Sequence, residues 1–256
     1  MSQKALVATG DLGYNLGEVE QRQIPEVTPD TILVKAVAYA ANPTDWKHLV
    51  FQLGGKGVII GSDVAGIVED VGSNVKGFKK GDIVSNFQRG GFYKESGAFE
   101  EYTLANPSTT IKYNAEQIKS NALPEGETPS GTILTFEGAA SVTLGLTTVG
   151  LSFSYGLGLD ASDSSNKDKY ILIWGGATAT GVLAIQIARL VYNLKVVTTA
   201  SKKNHDFLKS LGAEAVFDYN DADVVSQIVE YGNGNIFYGF DTVSDQETFQ
   251  NLYDAT

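Results

Sequence analysis

Near the middle of the chain, Tyr170-Ile171-Leu172-Ile173-Trp174 runs directly into Gly175-Gly176-Ala177-Thr178-Ala179-Thr180-Gly181, and that into Val182-Leu183-Ala184-Ile185-Gln186-Ile187-Ala188. The first segment favours a buried strand, the second is small and glycine-rich, and the third favours a helix. A strand that turns at once into a helix presents unpaired N–H groups and a partial positive charge at the strand's end, while glycines let phosphates approach the backbone. This order predicts a turn that holds a dinucleotide pyrophosphate. The spacing departs from Gly-x-Gly-x-x-Gly at Thr178, which stands where the middle glycine belongs. A purely structural alternative is that Gly176 and Gly181 only permit close helix–strand packing.

The residues downstream favour the dinucleotide. A second strand, Lys195-Val196-Val197-Thr198-Thr199-Ala200, ends in Ser201-Lys202-Lys203-Asn204. A ribose 2′-hydroxyl reader would place Asp or Glu there; a hydroxyl and lysines instead attract a 2′-phosphate, so NADP is expected over NAD. A short helix through Leu208 and Leu211 stops at Gly212, and a third strand follows at Ala215-Val216-Phe217. A further helix carries Val224, Ile228 and Val229, a fourth strand spans Ile236 to Asp241, and a last helix begins at Asp245 to Phe249. Strand and helix alternate as in a parallel Rossmann sheet of expected order three-two-one-four. A six-stranded sheet needs two more strands, so the expectation is an incomplete Rossmann domain whose fourth strand lies at an edge.

The N-terminal portion reads differently. Thr31 to Ala38, Ala65 to Gly72, Gly81 to Val84 and a segment starting at Gly97 are short strands between glycine turns, which predicts an irregular β-barrel. Helical patches are expected at Asn114 to Lys119 and Phe136 to Leu151. The Gly/Ser/Asp-rich stretch 156–169 reads as a surface loop. The expected division is a β domain over 1–135 and the dinucleotide domain over 136–256. With 256 residues and 43% hydrophobic content the chain can bury a core. No run of eighteen apolar residues exists, so no membrane span is expected. Cysteine is absent and the net charge is −11, which fit a cytoplasmic protein and disfavour nucleic acid as a partner.

Ala41-Asn42-Pro43-Thr44-Asp45-Trp46-Lys47, Gly61-Ser62-Asp63-Val64-Ala65-Gly66, Gly81-Asp82-Ile83-Val84, Gly97-Ala98-Phe99-Glu100-Glu101-Tyr102, Glu137-Gly138-Ala139-Ala140 and the glycine turn follow one another in order. Together they resemble the medium-chain dehydrogenase/reductase superfamily over essentially the whole chain, and within it the zinc-free quinone and enoyl reductase branch. Fungal trans-enoyl reductases and zinc-binding-like alcohol dehydrogenases are the nearest match. The resemblance implies a GroES-like β domain before the Rossmann domain. It also implies NADPH-dependent hydride transfer to an enone, enal, enoyl or quinone acceptor, or to an aldehyde.

Zinc-dependent relatives use Cys and a His where this chain has no cysteine and Ser62, so no metal is expected. His205 reads as a surface residue, and His48 as structural or substrate-adjacent. The resemblance assigns cofactor contacts to Thr44, Asp45, Lys47, the 176–181 turn (Gly176, Ala177, Thr178, Ala179, Thr180, Gly181), the 201–204 segment (Ser201, Lys202, Lys203, Asn204) and Tyr219. Asn42 and Thr147 fall on the nicotinamide and substrate side. Asn-Pro-Thr-Asp is equally a helix-start sequence, and Thr147 and Thr148 suit helix packing. Tyr39 and Tyr93 could donate a proton but suit core packing better, and no catalytic residue is singled out. The partner is a small-molecule substrate. Oligomeric state stays open, with a homodimer as one option. The competing non-enzymatic reading is a truncated dinucleotide-binding protein without turnover. A short-chain carbonyl reductase is disfavoured because no Tyr-x-x-x-Lys pair follows the glycine turn.

Overall fold

The computed structural model describes residues 1–13, 15–94, 96–118 and 132–256. It divides into two compact units, Met1–Leu144 and Gly145–Thr256.

In the first unit β1 (Ser2–Ala8) and β2 (Gly17–Gln23) form an antiparallel hairpin in continuous register from Ser2↔Gln23 to Ala8↔Gly17. β3 (Ile32–Ala40) leads to helix α1 (Pro43–Val50), followed by β4 (Asp63–Val71), β5 (Ile83–Phe87), β6 (Tyr102–Ala105) and β7 (Thr110–Tyr113). β3 to β7 make one antiparallel sheet of order β6-β3-β4-β5-β7. Its alternating residues Ile32, Val34, Val68, Val84 and Ala105 bury together. Isolated bridges Ala5↔Glu100 and Val7↔Ile59 tie the hairpin to the segments flanking this sheet, which is how short, irregular strands enclose a core. Helix α2 (Phe136–Ala140) buries Phe136, Ala139 and Ala140 against Ala38 and Ala65.

α3 (Thr143–Leu151) spans the division. The second unit continues with β8 (Tyr170–Trp174), α4 (Ala179–Leu190), β9 (Lys195–Thr199), α5 (His205–Leu211), β10 (Ala215–Phe217), α6 (Val224–Gly232), β11 (Ile236–Asp241) and α7 (Gln246–Asp254). The strands pair in parallel in the order β10-β9-β8-β11, the three-two-one-four order the sequence predicts. β8 is apolar throughout because both faces are covered. Ile171 and Ile173 meet Ala184, Ile185 and Leu208 on one face, and Leu172 and Trp174 meet Val224, Ile228 and Leu252 on the other.

Two local expectations change. Asn114–Ile118 is not helical: the Asn114 side chain accepts from the Glu116 N–H at 3.1 Å and its carbonyl from Gln117 at 3.0 Å, a turn that competes with helix. Lys119 lies outside the described residues. Within 156–169, most residues are exposed, but Leu159 and Asn166 turn inward, and Ser164–Asp168 forms a 3-10 turn.

Gln3, 1% exposed, clasps β1 to the approach to β6. Its Oε1 accepts the Tyr102 N–H at 2.6 Å and its Nε2 donates to Glu100 Oε2 at 2.7 Å. Glu100 is itself 4% exposed, and burial pushes its carboxyl up to about 7. A carboxyl that holds its proton more tightly folded than unfolded contributes most below the unfolded value, and that contribution is lost as pH rises through 7. Glu100→Gln keeps an acceptor for Gln3. It is expected to match the parent near pH 4 and to exceed it by roughly 2–3 kcal/mol at pH 8 in urea unfolding. A difference independent of pH would contradict the burial of an ionisable carboxyl here.

Candidate functional site

The second unit's site is built where β8 hands over to α4. Gly175 takes φ +83°, a conformation side chains rarely adopt, and Thr178 then caps the helix, its Oγ1 accepting the Gly181 N–H at 2.9 Å. The same hydroxyl donates to Thr242 Oγ1 at 2.9 Å, beyond the end of β11. Thr242 Oγ1 lies 2.8 Å from both the Trp174 and Gly175 carbonyls, so its proton is shared between them. The residue that breaks the glycine spacing is therefore the helix cap and a tie between neighbouring strand ends. Gly176 and Gly181 serve approach: a Cβ on Gly181 would strike the Gly175 carbonyl, and one on Gly176 would strike Thr198.

A cavity of about 490 Å³ opens at these strand ends. One wall is Gly175, Ala177 and Thr178; a second is Thr199, Ser201, Asn204 and Tyr219. The third, Val243, Asp245, Thr248 and Asn251, comes from the turn after β11 and the start of α7. Ala179 is exposed and Thr180 half-buried in the first turn of α4, directly after Thr178, and neither lines the cavity. Lys202 and Lys203 are exposed on a 3-10 turn and do not line the cavity. Thr147 is half-buried on α3 and does not line it either. His205 is not a free surface imidazole, since its Nε2 lies 3.0 Å from the Ala200 carbonyl and braces the end of β9. Asp218 follows β10, and its carboxyl is held below the usual range by the Asn220 backbone N–H and side chain.

Sequence reasoning missed the third wall. The Asp245-x-x-Thr248 capping pair, in which Thr248 N–H donates to Asp245 Oδ1 at 2.8 Å, marks a helix start but gives no sign of which side of a cavity that start will form.

In the first unit, α1 carries the other predicted residues. Asn42 N–H donates to Asp45 Oδ2 at 2.7 Å, and Ser62 Oγ donates to Asp45 Oδ1 at 2.7 Å. Asn42 Nδ2 donates to Asp63 Oδ2 at 2.9 Å, while Asp63 Oδ1 accepts from Leu144 N–H at 2.7 Å and from the Thr143 hydroxyl. Asp45 is 6% exposed and Asp63 fully buried; desolvation pushes both carboxyls up. Asp45 thus has both oxygens engaged in fixing α1, as the helix-start reading expects. His48 Nδ1 lies 2.8 Å from the Gly90 carbonyl and Nε2 lies 2.9 Å from Thr44 Oγ1. A carbonyl only accepts, so in neutral His48 Nδ1 carries the proton and Nε2 receives the Thr44 hydroxyl. Lys47 is exposed, with Nζ 5.8 Å from the Trp46 ring centroid. Tyr39 donates to the Glu100 carbonyl at 2.8 Å, and burial raises its phenol to about 12.

Residues 28–115 match the alcohol dehydrogenase GroES-like domain and residues 179–256 the zinc-binding dehydrogenase family. An uncharacterized protein of Saccharomyces cerevisiae is 38% identical over 90% of this chain and 62% of its own length. Trans-enoyl reductase TOXD of Cochliobolus carbonum is 38% identical over 94% of this chain and 76% of its own length. The chain belongs to the medium-chain dehydrogenase/reductase superfamily. It spans 62% to 64% of the length of the three yeast relatives. A quinone oxidoreductase of Pseudomonas syringae shares the fold, with a TM-score of 0.68 at 23% identity, over 99% of this chain and 70% of that one. Despite the family description, the donors among the described residues do not fit zinc. Cysteine is absent, Ser62 donates to a carboxylate, and among the described residues no three His, Asp or Glu side chains converge. No helix of the described residues is long and apolar enough to cross a membrane.

Removing the Thr178 cap with alanine should cost about 1 kcal/mol in urea unfolding, whereas Thr178→Gly should cost only a few tenths. Equal losses for the two variants would assign the stabilisation to the Thr242 contact instead of the cap.

Proposed function

We propose that the second unit binds NADPH and that the protein uses it for metal-independent reduction of a small, activated acceptor: an enone, enal, enoyl thioester or quinone. The observation that carries this reading is the cavity at the strand ends, bounded by the α4 N-terminus and by Ser201, Asn204 and Tyr219. The free N–H groups of the first turn of α4, at Ala179 and Thr180, would hold the pyrophosphate, with Ala177 and Thr178 shaping its approach. Ser201, Asn204 and Tyr219 would receive the adenosine ribose, and Lys202 and Lys203 would supply positive charge to a 2′-phosphate from outside the cavity wall. When bound, the nicotinamide supplies a hydride to the acceptor's electron-poor carbon.

Asn42, Thr44 and Lys47 are proposed for the reacting side. The Thr44 hydroxyl, tied to His48, and the Asn42 amide, tied to Asp63 and the Ala40 carbonyl, are fixed groups that would shape the reacting side by holding its neighbours in place. Asp45 would act by holding α1. Support for the acceptor class comes from the relatives named trans-enoyl reductases.

Fluorescence titration should give tighter binding of NADPH than of NADH by about tenfold or more, in line with the charge at 201–204. Equal or tighter NADH binding would remove the 2′-phosphate assignment. NADPH oxidation with an enal or quinone should persist in a strong chelator, and loss of turnover restored by zinc would overturn the metal-independent mechanism.

A further inference from the structure

The end of the parallel sheet opposite the cofactor cavity, where β8 and β9 begin, carries a second pocket of about 360 Å³. Lys167, Arg189, Lys195 and Lys209 line it. Acidic residues outnumber basic ones 30 to 19 in this chain, so four cations around one small pocket oppose its overall charge. Among the described residues the ion pairs involve Arg22, Lys80, Lys112 and Lys169, and none of these four. The one lining carboxylate, Glu214, faces hydroxyls instead: its Oε1 accepts from Tyr170 at 2.7 Å and Tyr231 at 3.1 Å. Lys195 Nζ stands 5.2 Å from the Tyr170 ring centroid.

Backbone shape holds part of the cluster in place. Gly212 ends α5 at φ +116°, and a Cβ there would meet Arg189 Cδ at 2.5 Å, so the arginine stem lies across the bare glycine. Arg189 lies in the last turn of α4 and Lys209 in the last turn of α5, where helix carbonyls attract cations. That attraction accounts for one cation per helix end. It does not account for Lys167 and Lys195 joining them around the same cavity.

We propose that this pocket binds a small, multiply charged anion of the phosphate class, a di- or triphosphate group, as a site separate from the dinucleotide cavity. Its volume is at the low end for ligand pockets, which suits an anionic group more than a bulky organic body. Arginine supplies a planar fork and the lysines supply point charges, the mixture that suits adjacent phosphates. The group could belong to free polyphosphate or to a nucleotide.

The test is calorimetric titration of the whole chain, saturated with NADPH, using inorganic tripolyphosphate in one arm and ADP in the other. Saturation blocks the dinucleotide cavity. Binding of one equivalent in either arm, weakened by salt, supports the site, and the tighter arm names the source. Arg189→Gln combined with Lys209→Gln should weaken it by about tenfold or more and leave NADPH affinity unchanged. The proposal is overturned by no binding in either arm, or by binding that the double variant retains in full. A fall in the variant's thermal midpoint with no anion binding by the parent would assign the cations to the helix ends alone. If NADPH does not bind, the same titrations on the protein alone still decide this site, so the two readings fail separately.

Discussion

The close approach of α4 to β8 sets the geometry of the second unit. A helix can start directly at a buried strand's end only where the intervening backbone turns within a few residues and nothing projects into the gap. Gly175 provides the turn with φ +83°, and Gly181 lies so near the Gly175 carbonyl that any side chain would push the helix away. Ala184, Ile185 and Ala188, apolar along one stripe, then bury against Ile171 and Ile173. Because the strand ends there, the first N–H groups of α4 point at the place where β8, β9 and β11 also end. The cavity follows from this packing.

A different economy governs the first unit. Asp45 and Asp63 are buried carboxylates whose ionised forms are disfavoured by desolvation, yet each is surrounded by donors from separate segments: Asn42 and Ser62 for one, Asn42, Thr143 and Leu144 for the other. Removing one donor would leave a buried acceptor short, which costs about 1–3 kcal/mol. Together these hydrogen bonds fix α1 and the start of α3.

Legibility in the sequence followed periodicity. The β8–α4 unit and the strand order could be read because β8 is apolar on both faces and its glycines punctuate it. β2 could not, since Gly-Glu-Val-Glu-Gln-Arg-Gln offers one apolar residue and is a strand only because β1 pairs along its length. Thr178 looked like a defect in a fingerprint; its role as a cap depends on Gly181 N–H and Thr242, the latter far along the chain. Lys202 and Lys203 were legible as charge but not as to placement, because a 3-10 turn decides that they stand outside the cavity while Ser201 and Asn204 face it. The α7 wall was invisible for the same reason: it is an arrangement of distant segments.

The most direct measurement is hydrogen exchange of the backbone amides with and without saturating NADPH. Slowed exchange is expected at Ala179–Val182 and Ser201–Asn204, with the start of β8 and β9 unchanged. Protection spread evenly over the second unit, or absent from the first turn of α4, would contradict a pyrophosphate held at that helix end.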